Sequence, residues 1–112
     1  MNAKQKGNRF EREVAKILNK KFDANVRRTP MSGGMGFKGD IIQLTGILSR
    51  FSIECKNQEK LNIWKALEQS RNDAERMKIP VVVFTRNRDR NYIALELDDF
   101  LNLIKELEEH YI

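Results

Sequence analysis

GDIIQLTGILSRFSIECK, residues 39–56, holds two β-rich runs on either side of a glycine. Asp40 to Thr45 reads as one strand and Arg50 to Lys56 as a second, joined through a tight turn near Gly46. Side chains alternate along a strand, so Phe51, Ile53 and Cys55 take one face of the second run. Ser52, Glu54 and Lys56 take the other. With the turn centred near Ile47, antiparallel pairing sets Asp40 across from Glu54, Cβ atoms ~5 Å apart. Lys56, two residues beyond Glu54, projects from the same face. Two carboxylates that close repel, and each favours protonation over sharing a dry site. A divalent cation resolves the conflict, held by Asp40, Glu54 and a backbone carbonyl, that of Cys55.

Outward from this hairpin the chain alternates helices and strands. A helix is expected from Lys4 to Phe22, with Phe10, Val14, Ala15, Ile17, Leu18 and Phe22 on one apolar arc. Glu11 falls inside that arc, where a carboxylate is costly unless something pairs with it. It is a further candidate ligand, through water. Asn25 to Arg28 follows as a short strand. Thr29 to Gly39 carries four glycines and a proline and reads as a loop.

Beyond the hairpin, Leu61 to Lys78 is expected as a second helix, with Ile63, Ala66, Leu67, Ala74 and Met77 as its buried stripe. Val81 to Phe84 is a continuous β-branched and aromatic run, typical of a strand buried on both faces. Arg86 to Arg90 (RNRDR) is a turn before a strand from Tyr92 to Leu97. Asp98 then caps a last helix whose Phe100, Leu101, Ile104 and Leu107 face the core. The order is α-β-β-β-α-β-β-α, an α/β domain with a central mixed five-stranded sheet flanked by helices. At 112 residues, the chain is a single domain.

Composition narrows the chemistry. One cysteine, Cys55, excludes an internal disulfide and suits a reducing compartment. The one histidine, His110, leaves no zinc site of His and Cys ligands, so a metal here is a hard cation on carboxylates, Mg2+ or Mn2+. No run reaches the ~18 apolar residues of a membrane span. Nor does the N-terminal stretch carry the apolar region of a secretory signal, so a cytoplasmic location is expected.

The formal charge is +5, and the charge is segregated. The first forty residues hold ten basic residues against Glu11, Glu13, Asp23 and Asp40, whereas Glu96 to Glu109 is acidic. A basic face of this kind reads as a nucleic-acid footprint. The candidate DNA contacts are Lys6, Arg9, Arg12, Arg27, Arg28, Lys38, Arg86, Arg88 and Arg90. Trp64 lies off the main stripe of its helix and is open to base stacking, a subunit interface or core packing. Cys55 alternates inward as a small core residue.

The ordered set Glu11, Asp40 and Glu54-Cys55-Lys56 resembles the PD-(D/E)xK nuclease superfamily. KGNRFERE from Lys6 is similar to the opening of archaeal-type Holliday junction resolvases. RRTPMSGGMGFKGDI from Arg27, IECKNQEKLNIWKALEQ from Ile53 and VVVFTRNRDRNYIAL from Val81 look like phage-encoded relatives. The resemblance runs from about Lys6 to Phe100. It implies a restriction-endonuclease-like fold and Mg2+-dependent cleavage of branched DNA, the four-way junction, by a homodimer. For a phage-encoded protein, the compartment is the host cytoplasm. Glu11, Asp40, Glu54 and Lys56 match the four catalytic positions, and Ser32 looks like a serine used near the scissile phosphate. Gln69 resembles a helix glutamine found near the metal. Gly39 replaces the proline of the motif. Two alternatives stay open: another nuclease of this superfamily, acting on duplex or flap DNA, and a basic DNA-binding protein without catalysis.

Overall fold

The computed structural model describes residues 2–30, 39–42 and 44–111. Helix α1 spans Ala3–Phe22 and opens with a reciprocal cap. The Asn2 side chain accepts from the Gln5 N–H at 2.9 Å, and the Asn2 N–H donates to the Gln5 side chain at 3.2 Å. These bonds satisfy backbone groups that a helix start leaves unpaired. The helix ends where Asp23 turns left-handed at φ 50°. Beyond it Asn19 takes both backbone groups of Val26, donating to its carbonyl at 2.9 Å and accepting from its N–H at 2.7 Å. One side chain thus fixes the direction in which the chain leaves the helix.

The sheet was expected to have five strands and is instead divided. Strands β1 (Arg27–Arg28) and β2 (Ile41–Ile42) form an antiparallel pair. Strands β3 (Phe51–Asn57), β4 (Ile79–Thr85) and β5 (Tyr92–Ala94) form a separate three-stranded sheet in that order. It is mixed as expected: β3 and β4 run parallel, β4 and β5 antiparallel. The expected tight hairpin is replaced by a 3-10 helix, Gly46–Arg50. What links the two sheets is Asp40. Its N–H donates to the Ile53 carbonyl at 2.7 Å, its carbonyl accepts from the Thr29 N–H at 2.7 Å, and its carboxylate accepts from the Cys55 N–H at 2.7 Å. A carboxylate oxygen fills the place that a further strand's carbonyl would take, and regular pairing stops there.

Helix α2 (Ile63–Asp73) makes the crossover that parallel β3 and β4 require. It is shorter than Leu61 to Lys78. Ala74 is already extended, and Met77, expected inside, is 92 % exposed with φ 75°. The core gathers Phe10, Val14 and Ala15 of α1 around Val26, Ile41, Ile53, Cys55 and Val81. Cys55 is the small core residue expected. The apolar arc of α1 is narrower than its periodicity suggests, since Ile17 and Phe22 are about half exposed. On β4, Val81 and Val82 are fully buried, while Val83 and Phe84 are only partly so.

Helix α3 (Leu97–Glu109) departs most from expectation. Its cap residue is Glu96 rather than Asp98, and none of its residues is buried. Phe100, Leu101, Ile104 and Leu107, expected against the core, are 43–56 % exposed. The helix is tied to the rest of the chain by ion pairs: Arg50 with Glu106, and Arg71 with Glu96 at 3.2 Å. Among the described residues, no helix is long and apolar enough to cross a membrane.

Candidate active site

Asp40, Glu54 and Lys56 meet where the two sheets join. The expected juxtaposition of Asp40 and Glu54 is present although the hairpin that suggested it is not. Asp40 reaches β3 between Ile53 and Cys55 through its own backbone and side chain, so Glu54 lies directly beside it. Glu54 is 3 % exposed. Burial pushes its carboxyl up to about 9, and the charge of Asp40 with a hydrogen bond between the two adds to the shift. Without a cation the pair therefore holds a proton at neutral pH. Asp73 pushes in the same direction, and Lys56 opposes it.

Glu11 joins from α1. It is half-buried, and desolvation followed by the charge of Asp40 raises its pKa, with Arg28 and Lys56 pulling the other way. Arg28 Nε donates to Glu11 at 2.9 Å, and its Nη2 donates to Asn8 at 3.0 Å. The inward carboxylate thus has the partner it needs, and Arg28, taken as a DNA contact, is committed to it. Glu11, Asp40, Glu54 and Lys56 all act electrostatically on the Cys55 thiol, which burial and the three carboxylates raise. The four candidate catalytic residues therefore share one locality. Ser32 and Lys38 lie outside the described residues.

Asp73 escaped the sequence reading. Counting from buried Ala66 in steps of four and three gives Ser70 and Asp73, so the buried stripe of α2 carries polar groups at its C-terminal end. Ser70 is 1 % exposed, and its hydroxyl donates to the Val81 carbonyl at 3.3 Å. Polar breaks in an apolar stripe were the available signal. Gln69 is on the exposed side of the same helix, and Trp64, 79 % exposed, is not a core residue.

The glycine in the motif's proline position has a physical reason. Gly39 has φ +78°, a conformation closed to proline. A Cβ there would stand 3.1 Å from both the Ile53 carbonyl oxygen and Ser52 Oγ. Glycine lets the Asp40 backbone lie against β3.

The basic residues divide into two groups. Lys6 and Arg9 of α1 line one cleft of about 540 Å³ together with Asn57, Arg86 and Arg88, and Glu13 and Asp89 line it too, paired with Arg9 and Arg86. The turn that presents Arg86 and Arg88 is held by Thr85, whose hydroxyl donates to the Arg90 carbonyl at 2.8 Å, and by the Arg86–Asp89 pair at 2.6 Å. Arg12, Arg27 and Arg90 are exposed, and none of them lines the cleft.

A family model described as "Phage putative PDDEXK endonuclease" matches residues 2–112. The chain belongs to that family. No curated protein and no solved structure matches it. Membership in the phage PDDEXK endonuclease family makes the coarse reading that of a nuclease. It also gives the Asp40 and Glu54-Cys55-Lys56 cluster its context.

The donor set fits a hard divalent cation. Among the described residues, no three His, Cys, Asp or Glu side chains group as a ready-made cage. Buried Glu54 and half-buried Asp40 instead form a carboxylate pair whose repulsion a cation would relieve. Sites for Mg2+ commonly use one or two carboxylates and fill the remaining positions with water and substrate phosphate.

Proposed function

We propose that this member of the phage PDDEXK endonuclease family is a Mg2+-dependent, structure-selective DNA endonuclease, a Holliday junction resolvase working as a homodimer. The observation that carries the reading is the carboxylate pair itself, half-buried Asp40 bonded to the Cys55 N–H and set beside buried Glu54 and Lys56.

Asp40 and Glu54 would hold the cation, with the Cys55 carbonyl and Glu11 through water as further donors. When bound, the ion lowers the pKa of water and neutralises phosphate charge, and Mn2+ would substitute for it. Lys56 holds a positive charge beside the carboxylates and orients the attacking water against the scissile phosphate. Arg28 pairs with Glu11, opposes the rise in its pKa and keeps it aimed inward. Lys6, Arg9, Arg86 and Arg88 line a track for the flanking phosphates, with Arg12, Arg27 and Arg90 extending the basic surface. Such contacts position DNA and read its shape more than its sequence.

Two symmetric nicks require two sites, and a chain with one site supplies them by pairing. Helix α3 supports a second copy as the partner. Leu97, Phe100, Ile104 and Leu107 repeat at alternating three- and four-residue steps, the spacing of a helix–helix seam. Glu106, which ties the helix to its own domain, lies nearly opposite that seam on the helical wheel, so the apolar side is turned away from the body. The acids Asp98, Asp99, Glu106 and Glu109 stand off the seam, which removes most like-charge repulsion from a pair of identical helices.

The test is cleavage of a labelled four-way junction and a matching linear duplex, with Mg2+ or EDTA. Paired symmetric nicks on the junction alone, lost in EDTA, are expected. Cutting of both substrates would replace the resolvase with a duplex or flap nuclease. Tight, salt-sensitive binding without cutting would identify a non-catalytic DNA-binding protein.

A further inference from the structure

Beyond the carboxylates, the catalytic face of the sheet continues sideways into an aromatic surface. In the strand register Lys56 pairs with Phe84, and Phe84 pairs with Tyr92. Paired residues project from the same face, so Lys56, Phe84 and Tyr92 form one row across three strands. With neighbouring strands ~4.8 Å apart, Tyr92 lies about 10 Å from the Lys56 backbone. Exposure rises along this row, from half-buried Lys56 and Phe84 to Tyr92 at 48 %.

The two rings are stacked, centroids 5.7 Å apart and planes at 30°. They border a cavity of about 380 Å³ shared with Gln58, Glu59, Leu61, Thr85, Arg86 and Asp89. The outer ring is held in place: the Tyr92 hydroxyl donates to Asp89 at 3.4 Å, and Asp89 is fixed by Arg86 and by the Arg90 N–H at 2.7 Å. The site therefore offers a half-exposed aromatic ring, an amide able to donate and accept, and a rim where the Arg86–Asp89 pair stands beside the Glu59 carboxylate. An apolar stacking surface with a few polar groups at its edge suits a heteroaromatic base better than an aliphatic chain.

We propose that the Phe84–Tyr92 cavity takes an unstacked nucleobase of the DNA strand held at Lys56, with Tyr92 as its stacking platform and Gln58 at the base edge. The proposal rests on the nuclease reading and names a substrate feature that it does not: a base no longer stacked in a duplex, as at a branch point. A fully stacked duplex would offer this cavity nothing, so the pocket favours branched or single-stranded DNA over linear duplex.

The experiment uses the full chain in EDTA, so that binding is read without cleavage. The probes are a four-way junction carrying 2-aminopurine at the branch and a linear duplex carrying it internally. Anisotropy of a distant dye reports binding, and 2-aminopurine fluorescence reports stacking. Wild type and Tyr92→Phe should alter the junction fluorescence and leave the duplex unchanged. Tyr92→Leu keeps apolar bulk without the ring. It should bind the junction roughly 10-fold more weakly and lose the fluorescence change. Tyr92→Ala should behave likewise, with folding checked by circular dichroism. Binding by wild type with no fluorescence change, or an unaltered change in Tyr92→Leu, overturns the base site and leaves the nuclease reading standing. Absence of any DNA binding overturns both.

Discussion

Helices α1 and α3 are both amphipathic, yet they occupy opposite situations. In α1, Phe10 and Val14 are 1 % and 4 % exposed and lock onto Ile53 and Cys55, the strand that carries Glu54 and Lys56. In α3, no residue is buried, and the ties to the body are ion pairs of polar side chains. Periodicity therefore identifies the face that needs covering but not the partner that covers it. The α1 wall is finished within one chain and holds the carboxylates rigidly. The α3 face is left exposed, the surface proposed above for pairing with a second copy.

The largest expected effect breaks the finished side. Phe10→Ala should cost about 3–5 kcal/mol, measured by urea unfolding, because the cavity opens beneath β3. A loss below about 1 kcal/mol would mean that the α1 wall is not what supports the site.

Glu54→Gln should act in the other direction. The folded-state pKa of Glu54 lies above its ordinary value of 4.5, so the folded chain keeps a proton that the unfolded chain releases. Stability is therefore full below about 4.5 and declines as pH rises toward about 9. In EDTA at pH 8, the variant should melt roughly 5 °C higher than wild type, and its stability should be flatter with pH. Added Mg2+ should raise the melting temperature of wild type and not of the variant. A variant that melts lower at pH 8 would contradict the buried-pair account.

Ile104→Asp sharpens the contrast from the unfinished side. It should shift sedimentation from dimer to monomer while changing the monomer's unfolding free energy by less than about 0.5 kcal/mol, as exposed substitutions do. An unchanged sedimentation coefficient would remove α3 as the pairing surface. Arg50→Ala is the smallest change. Global melting should hold steady while amide exchange in α3 quickens, because only the tether is lost.

Much of the site was legible because its cause is local. Strand alternation put Glu54 and Lys56 on one face, and helical periodicity exposed Glu11 as an inward carboxylate. Asp40 was placed correctly beside Glu54 for a partly wrong reason. The hairpin that suggested the pairing is a 3-10 helix, and the contact comes from Asp40 bonding the Ile53 and Cys55 backbone. The five-stranded sheet failed at the same residue, because a side-chain acceptor ended the ladder that strand propensity would have continued. Asp73 was hidden by a stripe drawn through Ala74 and Met77, which lie beyond the end of the helix. The exposure of α3 was not legible, since an apolar face reads alike whether it meets a core or another molecule.

The most direct test of the central claim is single-turnover cleavage of a labelled four-way junction in Mg2+ by wild type and by Asp40→Asn, with junction affinity measured in parallel. The asparagine keeps the shape of the side chain and an oxygen for the Cys55 N–H while removing the charge. Cleavage lowered by at least about 1,000-fold, with affinity unchanged, is the predicted result. Cleavage at the wild-type rate would show that the chemistry lies elsewhere and that the Asp40–Glu54 pair is structural.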